Sequence, residues 1–127
     1  LVIDDTYNAN PSSTAAAVAV LAEQQGRKIL VLGDMGELGT TGEQLHFAIG
    51  QTAKAAKIDE IYTLGRLSAT ASQAFGAGAY AFQDLAELLA ALTPNLTANT
   101  QVLVKGSRSA HMERVVDALT EQGVATC

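Results

Sequence analysis

The stretch KILVLGDMGELGT, residues 28–40, carries the pattern that decides the fold. Residues 28–32 are predicted to form a strand, because Lys28 is followed by the apolar run 29–32, which is typical of a strand buried inside a parallel sheet. Glycines follow at positions 33, 36 and 39, and Thr40 and Glu43 have the spacing of a helix capping box. Apolar residues then recur at helical spacing, at Leu45, Ile49, Ala53 and Ala56. The stretch therefore predicts a buried strand, a glycine-rich loop and a helix.

The same alternation continues in both directions along the chain. Predicted strands cover residues 1–3, 28–32, 60–64, 79–82 and 100–104, and the helices that follow them lie at 12–26, 40–56, 67–75, 84–92 and 109–123. The apolar face of the first helix comprises Val18, Leu21 and Ala22, and that of the last Met112, Val115, Val116 and Leu119. Ser12 or Ser13 is expected to cap the first helix and Ser109 the last. This order predicts an α/β fold, a Rossmann-like three-layer sandwich with a mostly parallel sheet.

Composition limits the classes of protein to which the chain can belong. With 127 residues, 48% of them hydrophobic, it can bury the core of one domain. Its net charge of -5 argues against binding to nucleic acid or anionic lipid. The single Cys127 excludes an internal disulfide, and the chain carries neither a membrane-spanning run nor a secretory signal, so a cytoplasmic location is predicted. Because Leu1 already lies inside an apolar run, we expect the chain to be part of a longer protein.

Three polar loops follow predicted strands, at residues 4–11, 33–39 and 105–108. Ligands of open α/β sheets bind beyond the carboxyl ends of the strands. We therefore expect the three loops to share one edge of the sheet and to form any binding site there.

The first loop combines a carboxylate, a phenol and two amides. The carboxylate of Asp5 can accept paired hydrogen bonds from a ribose diol, the ring of Tyr7 can pack on a base, and Asn8 and Asn10 can bind the edge of a heterocycle. The same residue types are ordinary in turns, and composition alone favours a simple turn before a helix.

The second loop has the spacing G-x-x-G-x-x-G, which is neither a dinucleotide fingerprint nor a Walker A loop. A flexible turn is as good an interpretation as a ligand-contacting role for Asp34 and Glu37. The third loop is a better anion site, because Lys105, Ser107 and Arg108 stand just before a helix N-terminus, where free amides favour negative charge. An arginine there can hold a carboxylate by two parallel hydrogen bonds.

The remaining polar residues give weaker signals. His46 is predicted to lie inside a helix and His111 in the first turn of the last helix. Neither has a second His or Cys at metal-ligand spacing in the sequence. A structural or solvent-exposed role is therefore favoured over a metal site for both. Asp59 and Glu60 are interpreted as a solvated turn before a strand. The sequence offers no nucleophile–base arrangement, and we predict no catalytic residue in this domain alone.

Taken together, the segments 5–11, 32–39 and 104–109 resemble those of the Mur ligases, in the same order and with the same spacing. The resemblance covers essentially the whole chain as the C-terminal domain of that family. Sister ligases carry Asp-Tyr-Ala/Gly-His before the proline, whereas this chain has an inserted Thr6 and the run Asn8-Ala9-Asn10. That run is typical of the branch that adds a dipeptide.

The resemblance implies an ATP-dependent ligase of peptidoglycan precursor synthesis that adds D-alanyl-D-alanine to UDP-N-acetylmuramoyl-tripeptide through an acyl phosphate. It implies that ATP and Mg²⁺ are bound mainly by a central domain which, like the N-terminal domain, is absent from this chain. The residues it assigns to the nucleotide are Asp5, Tyr7, Asn8 and Asn10, and those it assigns to the acceptor dipeptide are Asp34, Lys105, Ser107 and Arg108. The chain has no G-x-x-x-x-G-K-[ST] phosphate loop, so we expect the isolated domain to be inactive.

Three other interpretations stay open from the sequence. A stand-alone nucleotide- or anion-binding module is compatible with the fold, which implies no reaction by itself. The lid of a ligase of the folate-polyglutamating kind would share the acyl phosphate chemistry, although the run Asn8-Ala9-Asn10 argues against it. A purely structural interaction domain is the least favoured, because it leaves three polar strand-end loops without a function.

Overall fold

The structure, a computed structural model, describes residues 2–5, 11–35, 41–106 and 110–121, and of residues 4, 5 and 11 it describes the backbone. Strands and helices alternate along the described chain. In order they are β1 (Val2–Asp5), α1 (Pro11–Ala22), β2 (Arg27–Gly33), α2 (Gly42–Ala55), β3 (Glu60–Leu64), α3 (Ala69–Phe75), β4 (Ala79–Phe82), α4 (Leu85–Leu92), β5 (Thr100–Lys105) and α5 (Glu113–Glu121).

The strands form one five-stranded sheet in the order β1-β5-β2-β3-β4. All four neighbouring strand pairs are parallel. The last strand, β5, returns to the middle of the sheet and lies between β1 and β2. The prediction of an α/β fold with a parallel sheet is confirmed.

Helices cover both faces of the sheet and make the three layers. Side chains of α1, α2 and α3 pack in one buried cluster and those of α4 and α5 in another. Alternate residues of β2 face the two clusters, because successive side chains of a strand point to opposite faces. Leu30 and Leu32 join the first cluster, and Ile29 and Val31 join the second. Burial on both faces explains why residues 29–32 of this strand are all apolar.

The predicted elements agree with the observed ones except at several ends. The strands at 60–64 and 79–82 have the predicted bounds. The first strand runs two residues beyond its apolar run, because Asp4 and Asp5 pair with Val104 and Lys105 of β5. Backbone hydrogen bonds between strands do not require apolar side chains, so the strand predicted from the hydrophobic pattern is too short at its carboxyl end.

The prediction that Ser12 or Ser13 caps the first helix is wrong. Both lie within the first turn of α1, which begins at Pro11. Proline suits this position because its missing N–H is one that the first turn of a helix leaves unpaired in any case. The predicted apolar face of this helix is confirmed, since Val18 and Leu21 are buried.

The capping residues of two other helices are only partly testable. Thr40 lies outside the described residues, and the residue at the cap position of α2 is Thr41, whose side chain makes no capping hydrogen bond within the described part of the chain. Ser109 and Gly123, the predicted limits of the last helix, also lie outside it. The apolar stripe of α5 is confirmed, because Met112, Val115, Val116 and Leu119 are all buried.

The interpretation of Asp59 and Glu60 as a solvated turn is wrong for Glu60. Asp59 is exposed and accepts a hydrogen bond from the backbone N–H of Lys28 at 2.7 Å. Glu60 begins β3 and is only 8% exposed, and its carboxylate pairs with the guanidinium of Arg27 at 2.8 Å. The hydrogen bond to Glu60, helped by the charge attraction, raises the pKa of Arg27. In the described ranges, none of the helices has the length and apolar character needed to cross a membrane.

Candidate functional site

The carboxyl ends of three neighbouring strands bring the predicted loops to one edge of the sheet. In the register of the sheet, Asp5 of β1 stands beside Lys105 of β5, and Lys105 stands beside Leu32 of β2. The residue after Leu32 is Gly33, where the glycine-rich loop begins. The prediction that the three loops start at a common edge is therefore confirmed.

The structure describes only part of the predicted site. The side chains of Asp34 and Lys105 are described, and Asp5 is placed by its backbone at the end of β1. The predicted site residues that lie outside the described part of the chain are Tyr7, Asn8, Asn10, Ser107 and Arg108, and Glu37 of the glycine-rich loop lies outside it too.

The carboxylate of Asp34 is held by the turn that precedes α3. Its Oδ1 accepts a hydrogen bond from the backbone N–H of Ser68 at 2.7 Å, and its Oδ2 accepts one from Leu67 at 3.3 Å. Gly65, with φ of +124°, lies against the same group, so that a Cβ added there would be 2.3 Å from Oδ1. Asp34 thus ties the end of β2 to the β3–α3 turn, a role that its sequence position did not reveal.

Lys105 differs from an ordinary loop cation because its side chain is only 1% exposed. It ends β5, between the ends of β1 and β2. Burial of an ammonium group is costly unless polar or anionic groups surround it. The side chain of Lys105 therefore lies inside the packed end of the sheet and not in solvent.

A buried histidine anchors the chain just beyond β2. The backbone N–H of Met35 donates to His46 Nε2 at 2.9 Å, and His46 Nδ1 lies 2.6 Å from the carbonyl oxygen of Gly42. Because an amide N–H can only donate, Nε2 is the acceptor and Nδ1 carries the proton that bonds Gly42. The prediction of a structural role for His46 is confirmed. No sequence signal links positions 35 and 46, because the bond depends on how the loop folds back on the helix.

Two glycines allow the start of the last helix to pack closely on this edge. A Cβ added to either Gly33 or Gly106 would lie 2.5 Å from Cγ of Met112, which is fully buried. Real Cβ atoms do not approach so closely, so larger residues at either position would displace Met112. The glycines at the ends of β2 and β5 therefore allow close packing of Met112.

An open pocket of about 310 Å³ lies beside Asp34, where the ends of β3 and β4 face the start of α5. Its lining comprises Asp34, Leu64, Gly65, Gln83, Ala110 and Arg114. Gln83 Nε2 donates to the carbonyl oxygen of Gly65 at 3.0 Å, and Arg114 Nε donates to that of His111 at 2.9 Å. The sequence did not single out Gln83 or Arg114, because neither belongs to a motif.

The second histidine has a different setting. His111 stands before α5 with φ of +53°, so its predicted place in the first turn of the helix is wrong by two residues. Its exposed ring lies 3.3 Å from the carboxylate of Glu113. A hydrogen bond from the backbone of Glu113 to its own carboxylate lowers the pKa of Glu113, and His111 makes a smaller contribution. Across the part of the chain that the structure describes, no three His, Cys, Asp or Glu side chains gather as a metal-binding group.

The family profile described as Mur ligase, glutamate ligase domain, matches residues 1–108 of the chain. The chain belongs to this family.

Three relatives show how similar the chain is to known proteins. The chain is 50% identical to the UDP-N-acetylmuramoyl-tripeptide--D-alanyl-D-alanine ligase of Escherichia coli (strain K12), over 100% of this chain and 28% of the relative. It superposes on a crystal structure of MurF from Acinetobacter baumannii with a TM-score of 0.86 and 39% identity, over 94% of this chain and 27% of that one. MurF ligase from Thermotoga maritima in complex with ADP gives a TM-score of 0.81 with 25% identity, over 91% and 27%. The chain thus spans little more than a quarter of each relative.

Proposed function

We propose that the chain is the C-terminal domain of an ATP-dependent amide ligase that adds D-alanyl-D-alanine to UDP-N-acetylmuramoyl-tripeptide in peptidoglycan precursor synthesis. The observation that carries the proposal is the register that sets Asp5, Lys105 and Leu32 side by side. It brings together the strand ends from which the loop proposed for the nucleotide and both loops proposed for the acceptor begin. The 50% identity to a relative bearing that activity in its name supports the choice of reaction.

In this proposal residues 1–127 form the third domain of the enzyme, which closes over the other two. Those are an N-terminal domain and a central domain. The small share of each relative that the chain covers supports this division. With no Walker A loop of its own, the domain contributes no catalytic residue in isolation.

The nucleotide side of the site is assigned to the loop after β1. Asp5 is proposed to bind the ribose, with Tyr7, Asn8 and Asn10 beside the nucleotide. The backbone fits this role, because β1 ends at the binding edge and α1 begins at Pro11, so that residues 6–10 connect the edge to a helix N-terminus. ATP, when bound, supplies the phosphoryl group that turns the precursor's terminal carboxylate into an acyl phosphate. Mg²⁺ is assigned to the central domain because of the resemblance to the Mur ligases.

The acceptor side is assigned to Asp34, Lys105, Ser107 and Arg108. Lys105 lies at the end of β5 on this side of the sheet, and Ser107 and Arg108 would hold the carboxylate of the dipeptide. Asp34 keeps a fixed carboxylate at the wall of the adjoining pocket, whose volume of about 310 Å³ accommodates a small peptide. The assignment follows from a chemical requirement, since the dipeptide must bind through its carboxylate while its amine stays able to attack.

The contribution of the domain to the reaction is positioning and exclusion of water. An acyl phosphate hydrolyses in open water, and a domain that closes only over bound ligands protects it. Holding the amine next to the activated carboxyl group also converts a bimolecular step into an effectively unimolecular one.

The proposal is tested by phosphate release from the full-length protein with MgATP and UDP-N-acetylmuramoyl-tripeptide. D-alanyl-D-alanine, D-alanine and L-glutamate are compared as acceptors, and a folate with L-glutamate replaces both substrates in a parallel assay. Turnover only with the dipeptide supports the proposed reaction. Turnover with folate and glutamate would favour a folate-polyglutamating ligase, and nucleotide binding without any turnover would favour a binding module.

A further inference from the structure

His46 occupies a position that packing alone does not explain. The side chain is fully buried in α2, yet both ring nitrogens are hydrogen bonded to backbone groups on opposite sides of the ring. One bond stays within the first turn of the helix, at Gly42, and the other crosses to Met35 beyond the end of β2. Without His46, the N–H of Met35 would be a buried donor that has lost this acceptor, which is costly.

The residues that this histidine reaches are fixed at several points. Met35 is itself fully buried. Its sulfur accepts a hydrogen bond from the hydroxyl of Thr14, in the first turn of α1, at 3.6 Å. The preceding residue, Asp34, is held by the N–H groups of Leu67 and Ser68. The chain is thus anchored at two consecutive residues, immediately before the rest of the glycine-rich loop. Asp34 and this loop belong to the proposed acceptor site.

We propose that His46 is a positioning residue for acceptor binding, which fixes the peptide of Met35 and thereby the carboxylate of the preceding residue, Asp34. This inference rests on the proposed function. Imidazole suits the task because it is a rigid ring with a donor on one side and an acceptor on the other. If His46 only filled the core, the bond to Met35 would have no effect on the acceptor beyond its effect on stability.

Two substitutions in the full-length enzyme separate the two ring nitrogens. His46→Gln places an amide oxygen near the former Nε2 and keeps an acceptor for Met35. His46→Asn places its amide near the former Nδ1, so it keeps a bond to Gly42 and leaves the N–H of Met35 unpaired. We expect His46→Asn to raise KM for D-alanyl-D-alanine about tenfold, the change that one buried hydrogen bond produces in an equilibrium. His46→Gln should stay within about threefold of the wild type, and KM for ATP should change in neither.

Thr100→Val is the matched control at the opposite edge of the sheet. The hydroxyl of Thr100 is buried at the start of β5, 3.0 Å from that of Thr97, and it accepts the backbone N–H of Thr97. Its loss should lower the melting temperature about as much as His46→Asn without changing KM for the dipeptide.

A dipeptide KM that rises in His46→Asn alone supports the proposal. Equal KM values in both His46 variants, or increases in all three variants that follow their loss of melting temperature, would overturn it. If His46→Asn does not fold, His46→Gln still tests the proposal, because a tenfold increase of the dipeptide KM in a variant that keeps the acceptor for Met35 contradicts the positioning role. A wild-type enzyme that does not use the dipeptide would overturn the proposed function itself and this inference with it, whereas failure of the variants to differ overturns the inference only.

Discussion

Asp34 and Ser68 are joined by a 2.7 Å hydrogen bond from the backbone N–H of Ser68 to the carboxylate of Asp34. The bond connects the end of β2 to the turn before α3, although 34 residues separate the two positions. Since Asp34 is also proposed to face the acceptor, substitutions there affect both stability and binding. Measurements of stability are therefore needed before any loss of activity at this residue is interpreted.

Replacement of Asp34 by asparagine should destabilise the domain. Asparagine keeps one oxygen, so only one of the two bonds to Leu67 and Ser68 survives, and without a negative charge. We expect the free energy of unfolding to fall by about 1.5–3 kcal/mol, the contribution of hydrogen bonds to charged groups. Urea unfolding followed by circular dichroism measures it. Asp117→Asn, on the exposed side of α5, is the control and should change stability by less than about 0.5 kcal/mol. Equal effects of the two substitutions would contradict the structural role of Asp34.

Alanine at Gly65 should be more harmful than alanine at Gly76. Both glycines have left-handed φ values, +124° and +81°, so both substitutions introduce backbone strain of about 1–3 kcal/mol. Only at Gly65 would the new Cβ meet another group, since it would lie 2.3 Å from Asp34 Oδ1, whereas nothing lies within 4 Å at Gly76. Thermal unfolding of the two variants measures the difference. The excess loss at Gly65 should disappear in an Asp34→Ala background, and its persistence there would show that the contact with Asp34 is not its cause.

The ion pair between Arg27 and Glu60 should contribute more than the one between Arg66 and Glu43. The side chain of Glu60 is 10% exposed, and removal of Arg27 leaves a nearly buried carboxylate without its partner. Both side chains of the second pair are largely exposed and 3.5 Å apart. Arg27→Met should therefore cost about 1–3 kcal/mol and Arg66→Met less than about 1 kcal/mol by chemical denaturation. If both substitutions lowered the free energy of unfolding by similarly small amounts, water would be screening Glu60 as well.

Tyr62 should give the domain a loss of stability at high pH. Burial, followed by the nearby charge of Glu60, raises the pKa of Tyr62 to about 12, against about 10 in an unfolded chain. The unfolded state therefore releases the proton first, so the stability is fully present below about pH 10 and declines as the pH rises toward 12. Phenolate absorbance and the free energy of unfolding are measured across this range. In Tyr62→Phe the tyrosine titration near pH 12 and the matching decline in stability should both disappear. A tyrosine titration near pH 10 that disappears in the same variant would contradict the raised pKa.

Much of the fold followed from the sequence because it depends on local patterns. Apolar runs such as residues 29–32 and the helical spacing of Val115, Val116 and Leu119 indicate elements and buried faces without knowledge of their partners. The end of the first strand was missed because Asp4 and Asp5 are polar and join the sheet only through the backbone of β5. Hydrophobic pattern is insensitive to such bonds.

The sequence predicted the candidate site only as a set of loops. Their common edge follows from the rule for parallel sheets, and the register of Asp5 and Lys105 confirmed it. The bonds of Asp34 to the β3–α3 turn, the burial of Lys105 and the bridge made by His46 all depend on elements distant in sequence. A motif shows which residues occur together, but the three-dimensional packing decides which of them bind a ligand and which hold the others in place.

The most direct test of the account is kcat/KM for D-alanyl-D-alanine in the full-length enzyme carrying Arg108→Ala, compared with Arg27→Ala. Arg108 belongs to the loop after β5 at the proposed acceptor edge, whereas Arg27 begins β2 at the opposite edge. Loss of a charged contact to the dipeptide carboxylate predicts a decrease of about 100-fold for Arg108→Ala. Arg27→Ala should lower the melting temperature and leave kcat/KM within about twofold of the wild type. Wild-type kcat/KM in Arg108→Ala would contradict the placement of the acceptor at the carboxyl edge of the sheet.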